Sequence, residues 1–326
     1  MPRILLVKTS SLGDVVHNLP VAGDIRRHFP DAEIDWVVEE PFAPLPALHP
    51  GVSRVIPVAV RRWRKALLAA ETREEFAQFR RAVGRGQYDA VIDTQGLIKS
   101  ALLARAATLA PRGERHGYGA ASAREPLATR FYGRRHTVLR GLHAVTRNRL
   151  LVAAALGYSI DEEAVDYGIR APERARPAGR YAVLLHATAG AHKSWPEAEW
   201  MALGKQLAAQ GVSSVLPWGH REEHERSLRL AAALPGAVVP DHAPLDEMAA
   251  LLGGSTAVVG VDTGLTHLAV ALGRPVVGIY TGTDPELTGV FGSSRAVNLG
   301  KTGEVPSVTQ VLEALDRVMN KTTAKS

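Results

Sequence analysis

Short apolar runs and longer segments with helical spacing alternate along the first part of the chain. The apolar runs lie at 4–7, 33–38, 55–60 and 90–93. Segments with the apolar period of a helix lie at 15–28, 61–84 and 97–107. Short apolar runs bounded by turn residues are typical of buried strands. The alternation therefore predicts a mainly parallel, doubly wound α/β sheet.

The alternation stops at 111–140, where glycine, arginine and small residues dominate. We expect a long surface excursion there, followed by a helix at 143–156. The next stretch, 161–180, is acidic, irregular and interrupted by prolines, which is typical of a connection between domains. The sequence thus predicts two domains, at 1–170 and 171–326.

The same alternation restarts in the second half. Predicted strands lie at 181–186, 212–217, 237–239, 257–261 and 276–280. Predicted helices lie at 197–210, 222–234, 245–252, 266–272 and 307–319. This pattern indicates a second doubly wound domain. Two such domains are expected to face each other across a cleft at the carboxyl ends of their strands, where ligands of open α/β sheets bind.

Composition narrows the class of protein. The 326 residues are 46% hydrophobic and 22% charged, which is typical of a soluble globular chain. The absence of cysteine excludes disulfides, thiolate metal sites and cysteine nucleophiles, and favours a cytoplasmic location. The apolar run 4–7 is too short for a signal peptide, and no later run approaches the length of a membrane span. Any membrane contact is therefore expected to be peripheral.

Charge is distributed unevenly between the two halves. The first 170 residues carry 25 basic and 18 acidic side chains, whereas 171–326 carry 14 and 15. Within the first half, 54–149 holds 20 basic and 7 acidic residues, and nearly all of the bases are arginine. Such a segment predicts a polyanionic partner, because arginine forms forked contacts to phosphate and carboxylate. Nucleic acid, anionic lipid and a phosphorylated sugar all fit this charge.

The densest basic run places Trp63 among four bases at 61–65. An aromatic ring in this setting suits lipid head groups or base stacking on nucleic acid. The alternative is a solvated basic helix face. Further bases follow at Lys99, Arg115, Arg124, Arg130, Arg134, Arg135 and Arg140.

The most informative motif is 261–267, Val-Asp-Thr-Gly-Leu-Thr-His, where a predicted strand ends and a helix begins. The amide groups of the first helical turn and the positive end of the helix dipole favour a phosphate at such a turn. We expect the N–H groups from Thr263 to Thr266 to contribute. The alternative is that Asp262 or Thr263 only caps the helix and His267 is packed one turn inside it.

Two further strand ends in the second half carry candidate ligand groups. At 186–196, Lys193 precedes a Trp-Pro that starts a helix, where a lysine can neutralise a diphosphate. At 216–223, Glu223 can accept hydrogen bonds from ribose or sugar hydroxyls. The alternatives are a solvated loop lysine and a first-turn acid that favours the helix dipole. Three such strand ends together favour a nucleotide site.

The first strand is followed by the turn 8–14, Lys-Thr-Ser-Ser-Leu-Gly-Asp, which lacks the glycine patterns of dinucleotide folds and phosphate loops. Asp14 stands at the carboxyl end of this strand, where a general base would be useful, although helix capping is the competing interpretation. The sequence has no D-x-D motif and no close histidine pair on a helical face, so no metal site is predicted.

Several motifs spread along the chain carry a family resemblance. They are 8–15, Asp35 to Glu40, Val55 to Lys65, Tyr88 to Ser100, Ala123 to Ala128, His186-Ala187-Thr188, Lys193 to Pro196, Leu216 to Gly219 and Val261 to His267. In this order they resemble the ADP-heptose:lipopolysaccharide heptosyltransferases, glycosyltransferase family 9. The motifs of the first half resemble those of the type I members.

The resemblance implies a GT-B architecture of two Rossmann-like domains. It implies inverting, metal-independent transfer of heptose from ADP-L-glycero-D-manno-heptose to the Kdo of Kdo2-lipid A, without a cofactor. It also implies a cytoplasmic enzyme that associates peripherally with the inner leaflet of the inner membrane.

The resemblance also assigns roles to residues. Asp14 and Lys193 match catalytic positions of the family. The implied donor-binding residues are Ser10, Ser11, Thr188, Ala189, Lys193, Glu223, Asp262, Thr263, Gly264 and His267. The implied acceptor-binding residues are Arg61, Arg64, Lys65, Lys99 and Arg124.

The sequence departs from the family pattern at Ala189, where type I relatives often have a threonine, and at Ala243, where some relatives have a methionine near the adenine. A backbone N–H could replace the missing hydroxyl at Ala189. The alternatives left open are a type II or other lipopolysaccharide heptosyltransferase, a nucleotide-sugar epimerase or reductase with bound nicotinamide, and a basic nucleic-acid-binding protein.

Overall fold

The computed structural model describes residues 1–174, 177–188 and 190–321. Within them the chain forms two compact units, 1–169 and 170–326. Each unit contains one sheet in which all strand pairs are parallel. The prediction of two doubly wound parallel sheets is therefore confirmed.

The first unit is built on a six-stranded sheet. Its strands are β1 (Arg3–Val7), β2 (Glu33–Glu39), β3 (Arg54–Val58), β4 (Tyr88–Asp93), β5 (Leu109–Tyr118) and β6 (Arg134–His136). They lie in the order β3-β2-β1-β4-β5-β6, which places β1 and β4 at the centre. Because helices cover both faces of such a sheet, its central strands are nearly continuous apolar runs. This explains why the sequence pattern identified β1 to β4.

Seven α-helices belong to the described part of the first unit. They are α1 (Leu12–Val16), α2 (Leu19–His28), α3 (Pro44–Ala47), α4 (Val60–Trp63), α5 (Ala70–Gly84), α6 (Ile98–Arg105) and α7 (Ala144–Leu156), with 3₁₀ turns at Glu40–Phe42 and Pro126–Phe131. The segment predicted as one helix at 15–28 is interrupted before Leu19, since Pro20 lies in the first turn of α2. The predicted helix at 61–84 likewise divides into α4 and α5.

The prediction of a surface excursion at 111–140 was wrong. This region supplies β5 and β6, which extend the sheet beyond β4. Most of β5 up to Glu114 is only partly buried, and its register shifts between Tyr88 and Ala90 on β4. A strand near the sheet edge is stabilised by backbone pairing and needs no apolar run, so its sequence can be rich in arginine and glycine.

The second unit is built on a five-stranded sheet. Its strands are β7 (Tyr181–Leu185), β8 (Ser213–Val215), β9 (Ala257–Val261), β10 (Val276–Ile279) and β11 (Ala296–Leu299), in the order β11-β10-β9-β7-β8. The strand predicted at 237–239 is reduced to an isolated bridge between Val238 and Val215. The partly buried edge strand β11 was missed by the sequence pattern.

Six α-helices belong to the described part of the second unit. They are α8 (Glu197–Ala209), α9 (Arg221–Ala232), α10 (Leu245–Gly254), α11 (Gly264–Ala271), α12 (Pro285–Thr288) and α13 (Val308–Asn320), with a 3₁₀ turn at Ala191–Lys193. The core beneath α8 and α13 contains Trp195 and Trp200, whose rings meet edge to face at 4.9 Å. Among the described residues, no helix combines the length and the apolar character needed to cross a membrane.

A buried ion pair joins two helices of the first unit. The Arg149 side chain on α7 has no exposed surface, and it donates hydrogen bonds of 2.7 and 3.2 Å to the two carboxylate oxygens of Asp24 on α2. The paired geometry neutralises the buried guanidinium with a carboxylate in a region without solvent access. It fixes α7 against α2, the second helix after β1.

Candidate active site

The turn after β1 carries a carboxylate with one unused oxygen. Asp14 lies on α1, and its Oδ2 accepts hydrogen bonds from the backbone N–H of Ser11 at 2.7 Å and from the Ser11 hydroxyl at 3.1 Å. Asp14 therefore helps to cap its helix. Its Oδ1 receives no hydrogen bond from the described residues, and the side chain is half-buried. The capping role thus leaves one carboxylate oxygen available, with its orientation fixed by the other.

The backbone of this turn is held by a residue that the sequence analysis did not single out. Gln95 Oε1 accepts hydrogen bonds from the N–H groups of Thr9 and Ser10, at 3.0 and 3.2 Å. Its amide group donates to the carbonyl oxygen of Ser10 at 2.5 Å. Gln95 follows β4, the neighbour of β1, so it reaches the turn from the adjacent strand end. The only signal in the sequence was a polar residue after a predicted strand.

Asp93, the last residue of β4, fixes Gln95 in turn. Its carboxylate has no exposed surface and accepts hydrogen bonds from the N–H of Gln95 at 2.8 Å and the N–H of Gly96 at 3.2 Å. The hydroxyls of Ser100 and Tyr132 each donate to its other oxygen at 2.7 Å. Burial raises the pKa of Asp93, and these four donors oppose that change. The network therefore positions the turn without using Asp14.

Lys8 lies beneath the same turn. Its ammonium group donates to the carbonyl oxygen of Thr94 at 2.8 Å and to the side-chain oxygen of Asn148 at 3.3 Å. Burial lowers the pKa of Lys8, and the nearby carboxylates of Asp14 and Asp93 oppose this effect. Lys8 thus contributes a positive potential beneath Asp14.

Lys99, on α6, brings a second cation to the turn. Its ammonium group donates to the Ser10 hydroxyl at 3.0 Å. Burial lowers the pKa of Lys99, Glu39 opposes this effect, and the charges of Arg61 and Arg64 reinforce it. The structure therefore gathers Lys99, Arg61 and Arg64 within electrostatic reach of one another, next to Ser10. Glu39, a buried carboxylate with one oxygen that lacks a hydrogen bond, was also missed by the sequence analysis.

Within the described ranges, no carboxylate lies within 4.0 Å of the charged group of any of the five predicted acceptor-binding bases. Lys99 is half-buried and bonded to Ser10, whereas the other four are exposed: Arg61, Arg64, Lys65 and Arg124. Arg62, by contrast, is paired with Glu75 at 2.9 Å and with Glu40 at 3.3 Å. The unpaired cations keep their charge available for an anionic ligand.

Other bases of the arginine-rich segment form hydrogen bonds or ion pairs within the first unit. Arg115 donates to the carbonyl oxygens of residues 104, 105 and 107, and Arg140 donates to that of Ala123. Arg134 is paired with Glu114 at 2.7 Å. The net charge of this segment therefore overstates the number of cations that a ligand can meet.

The interpretation of Trp63 as an exposed ring that contacts lipid head groups or stacks on nucleic-acid bases was wrong. Its side chain is 7% exposed and belongs to the apolar core of the first unit. The indole N–H donates to Glu75 at 2.6 Å, and the ring packs against Phe76 and Phe79. The helical turn α4 directs its arginines outward and its tryptophan inward, so proximity in sequence does not place the ring among the charges.

In the second unit, Asp262 at the end of β9 organises the strand ends. Its Oδ2 accepts hydrogen bonds from the Lys193 ammonium at 2.7 Å and from the Thr283 hydroxyl at 2.8 Å. The Thr188 hydroxyl donates to the carbonyl oxygen of Asp262 at 3.0 Å, and His267 Nε2 lies 3.8 Å from Oδ1. The structure thus brings together two of the strand ends selected from the sequence, 186–196 and 261–267, and adds Thr283, which was not predicted.

The electrostatics keep Asp262 ionised. Burial acts to raise the pKa of Asp262, but the nearby His267 imidazole, hydrogen bonds from Lys193 and Thr283, and the Lys193 charge hold it well below its ordinary value. A buried carboxylate stabilised in this way in turn fixes the position of the Lys193 ammonium, which has two further N–H groups to donate.

The amino terminus of α11 adjoins this carboxylate. Thr263 is the N-cap and Gly264 the first helical residue, so the amide groups of this turn lack intrahelical acceptors. The expected contribution of Thr266 was wrong, because its N–H donates to the Thr263 carbonyl at 3.1 Å and its hydroxyl to that of Val261 at 2.8 Å. The anion-binding capacity of this turn is therefore restricted to the residues before Thr266.

Glu223 takes part in capping α9. One of its oxygens accepts a hydrogen bond from the N–H of Gly219 at 2.7 Å, and the other lies 3.1 Å from His220 Nε2.

His186, directly after β7, is bonded to the Ser227 hydroxyl. Burial lowers the pKa of His186 to about 4, so this histidine is neutral at physiological pH. Ala189 lies outside the described residues.

No group of three or more histidine or acidic side chains in the described ranges has the arrangement of a metal site. Each unit carries hydrogen-bonded carboxylates and cations near the carboxyl ends of its parallel strands. Doubly wound parallel sheets that carry such groups at their strand ends are typical of ligand-binding α/β enzymes.

Comparison with known proteins identifies the family. The model of glycosyltransferase family 9 (heptosyltransferase) matches residues 76–314. Lipopolysaccharide heptosyltransferase 1 of Pseudomonas aeruginosa is 48% identical over 300 residues, which cover 91% of this chain and 83% of that protein. The chain belongs to glycosyltransferase family 9, the heptosyltransferases.

Solved structures agree with this assignment. The structure of E. coli heptosyltransferase WaaC with ADP is 43% identical and matches with a TM-score of 0.89 over 97% of this chain and 99% of that one. WaaC with ADP-2-deoxy-2-fluoro heptose matches with a TM-score of 0.84 at the same identity, over 96% and 99% of the two chains. The predicted α/β fold class with GT-B architecture is thereby confirmed.

Replacing Asp262 by asparagine is expected to destabilise the second unit by about 1–3 kcal/mol near neutral pH, because the Lys193 ammonium loses its charged partner. The native pKa of Asp262 is depressed, so its stabilisation is complete above the unfolded pKa of about 4 and declines as pH falls below it. Urea denaturation of both proteins from pH 3 to 8 measures the difference. A difference that grows as pH falls would contradict this account of Asp262.

Proposed function

We propose that this chain transfers L-glycero-D-manno-heptose from ADP-L-glycero-D-manno-heptose to the Kdo of Kdo2-lipid A. The observation that carries the proposal is Asp14, an oriented carboxylate with one unused oxygen, next to a cluster of unpaired cations. Membership of the heptosyltransferase family and 48% identity to lipopolysaccharide heptosyltransferase 1 support the choice of donor and acceptor.

The donor is proposed to bind mainly to the second unit. Lys193 and the amide groups at Thr263 and Gly264 would hold the diphosphate, since they combine a positive charge with the amino terminus of α11. Thr188, Asp262 and His267 belong to the same hydrogen-bonded group. Glu223 and Ala189 on neighbouring loops, and Ser10 and Ser11 of the first unit, complete the proposed donor-binding set.

The proposed mechanism is a single displacement at the anomeric carbon. A Kdo hydroxyl attacks this carbon, the bond to the diphosphate oxygen breaks, and Asp14 Oδ1 accepts the proton of the hydroxyl. Lys193 and the amides of α11 stabilise the negative charge that develops on the departing ADP. These groups would supply without a metal ion the charge stabilisation that a divalent cation supplies elsewhere.

The acceptor is proposed to bind to Arg61, Arg64, Lys65, Lys99 and Arg124 of the first unit. The unpaired guanidinium groups suit the phosphates of lipid A and the carboxylates of Kdo, because arginine binds both in a forked geometry. An acceptor embedded in the inner leaflet would bring the enzyme to the cytoplasmic face of the inner membrane as a peripheral protein.

Transfer of labelled heptose by the purified chain tests the function directly. With ADP-heptose and Kdo2-lipid A, we expect labelled product in the presence of EDTA, because the proposed charge stabilisation comes from protein groups. An enzyme that accepts only the already heptosylated acceptor would instead be a type II heptosyltransferase. Loss of transfer in EDTA, with recovery on adding a divalent cation, would contradict the metal-independent mechanism.

Replacing Asp14 by asparagine is expected to lower kcat about 10²–10⁴-fold, because the amide oxygen cannot take the proton. Asparagine keeps an oxygen for the hydrogen bonds from Ser11, so the helix cap and the affinity for ADP-heptose should persist. Steady-state kinetics and calorimetric titration with the donor measure the two effects. The exposed Asp31→Asn variant is the matched control, and turnover of Asp14→Asn equal to that of this control would refute the role of Asp14.

Reversing two charges, Arg61→Glu with Arg64→Glu, is expected to raise the KM for Kdo2-lipid A by roughly tenfold or more, since two anion contacts become repulsive. The affinity for ADP-heptose should not change. The control is the double reversal of Arg80 and Arg85, which are exposed bases at the far end of α5 and after it. An equal rise of the acceptor KM in both double variants would show that only net charge matters.

A further inference from the structure

An apolar groove of about 930 Å³ lies in the first unit beside the proposed acceptor cluster. Its walls come from α6, from α5 and from the segment that joins α4 to α5. The apolar lining residues are Leu67, Phe76, Leu97, Ile98, Leu102 and Leu103. The volume is within the range of sites that enclose small-molecule ligands.

The groove exposes large apolar side chains to solvent. Leu67 is 66% exposed, Leu102 51% and Phe76 42%. Isolated exposed leucines are ordinary, but three large apolar residues around one concave surface form a patch that favours an apolar ligand. Beneath them, Trp63 and Leu103 are buried in the core, so the floor of the groove is held firmly by packing.

The charges around the groove select the kind of apolar ligand. Arg64, Arg73 and Lys99 also line it. The one acidic lining residue, Glu125, is engaged by the N–H of Ile98 at 2.7 Å. An apolar interior with a cationic margin is complementary to an amphiphile that carries anionic groups next to a hydrocarbon chain.

Lys99 connects the groove to the proposed catalytic turn. Its side chain lines the groove, and its ammonium group donates to the Ser10 hydroxyl at 3.0 Å, four residues before Asp14. A ligand whose sugar hydroxyl lies at Asp14 therefore has the cations and then the groove directly beside it. This order of polar and apolar surfaces matches a glycolipid better than a protein helix or a second copy of the chain.

We propose that the groove binds an acyl chain of the acceptor's own lipid, which makes it a subsite for the hydrocarbon part of the substrate. This inference rests on the proposed function. Each methylene group transferred from water to an apolar surface favours binding by about fourfold, equivalent to about 0.8 kcal/mol. A few methylenes would thus raise the affinity for an acylated acceptor by one to two orders of magnitude.

The test compares a fully acylated acceptor with a completely deacylated one, both below the concentration at which they aggregate. For the wild-type chain we expect kcat/KM to be at least roughly tenfold higher with the acylated acceptor. Leu102→Asp places a charge in the groove and should remove this preference while leaving kinetics with the deacylated acceptor unchanged. Leu67→Ser, on the loop, is a second and milder variant with the same expected direction.

Leu228→Asp is the matched control, because Leu228 is 49% exposed on α9 of the second unit. It should keep the preference for the acylated acceptor. Equal kcat/KM for the two acceptors in the wild type, or an equal loss with both acceptors in Leu102→Asp, would overturn the subsite.

Two further measurements identify other occupants. Sedimentation that reveals self-association abolished by Leu102→Asp would assign the groove to a second copy of the chain and overturn the proposal. Flotation with phosphatidylglycerol vesicles in the absence of acceptor tests for binding of bulk membrane lipid. If Leu102→Asp weakens this flotation, the groove binds bulk membrane lipid and the proposed subsite is overturned as well. Measuring the binding of the two acceptors directly distinguishes failure of the subsite from failure of the proposed function. Binding that depends on the acyl chains, without heptose transfer, would support the subsite and contradict the proposed function.

Discussion

Asp93 has no exposed surface, and a carboxylate in that position must find donors for both of its oxygens. It finds four, and one of them is the N–H of Gln95, whose side chain then holds the backbone of Thr9 and Ser10. The turn that carries Asp14 therefore depends on a hydrogen-bond network in the neighbouring strand. The network satisfies its own polar groups without Asp14, whose Oδ1 accepts no hydrogen bond from the described residues.

In the second unit, the carboxylate at a strand end is stabilised by an ion pair. Asp262 is a partly buried carboxylate at a strand end, and its donors include the Lys193 ammonium and the Thr283 hydroxyl. The pair fixes a cation beside the amino terminus of α11. The two units thus use carboxylates at strand ends differently. In the first, Asp93 supports the turn that carries Asp14, and in the second, Asp262 orients the Lys193 ammonium directly.

The sequence pattern predicted the central strands because their apolar runs follow directly from burial on both sheet faces. It failed at β5, β6 and β11, where partly exposed residues are stabilised by backbone pairing. It also misplaced Trp63, since a run of charges does not reveal which residue of a helical turn faces the core. The role of Gln95 could not be predicted, because its partners lie 85 and 86 residues away and are brought close by the pairing of β1 with β4.

The spacing of residues left the roles of several candidate site residues open, and the family resemblance suggested a role for each. Asp14, Lys193 and Asp262 each had a helix-cap or solvated alternative, and the structure gives Asp14 both a capping bond and an unused oxygen. Among the basic residues, geometry now separates the unpaired Arg61 and Arg64 from the paired Arg62 and the carbonyl-bonded Arg115. The net charge of a segment therefore indicates ligand binding only after the charges that have partners within the fold are identified.

In the proposed reaction, a single displacement, Asp14 takes the proton from the attacking hydroxyl while Lys193 stabilises the departing diphosphate. The anomeric configuration of the transferred heptose can be measured from the one-bond carbon–hydrogen coupling in the NMR spectrum of the product. A single displacement gives a configuration opposite to that of the heptose in the donor. A product with the donor's configuration would require a second displacement through a covalent intermediate and would contradict the proposed mechanism.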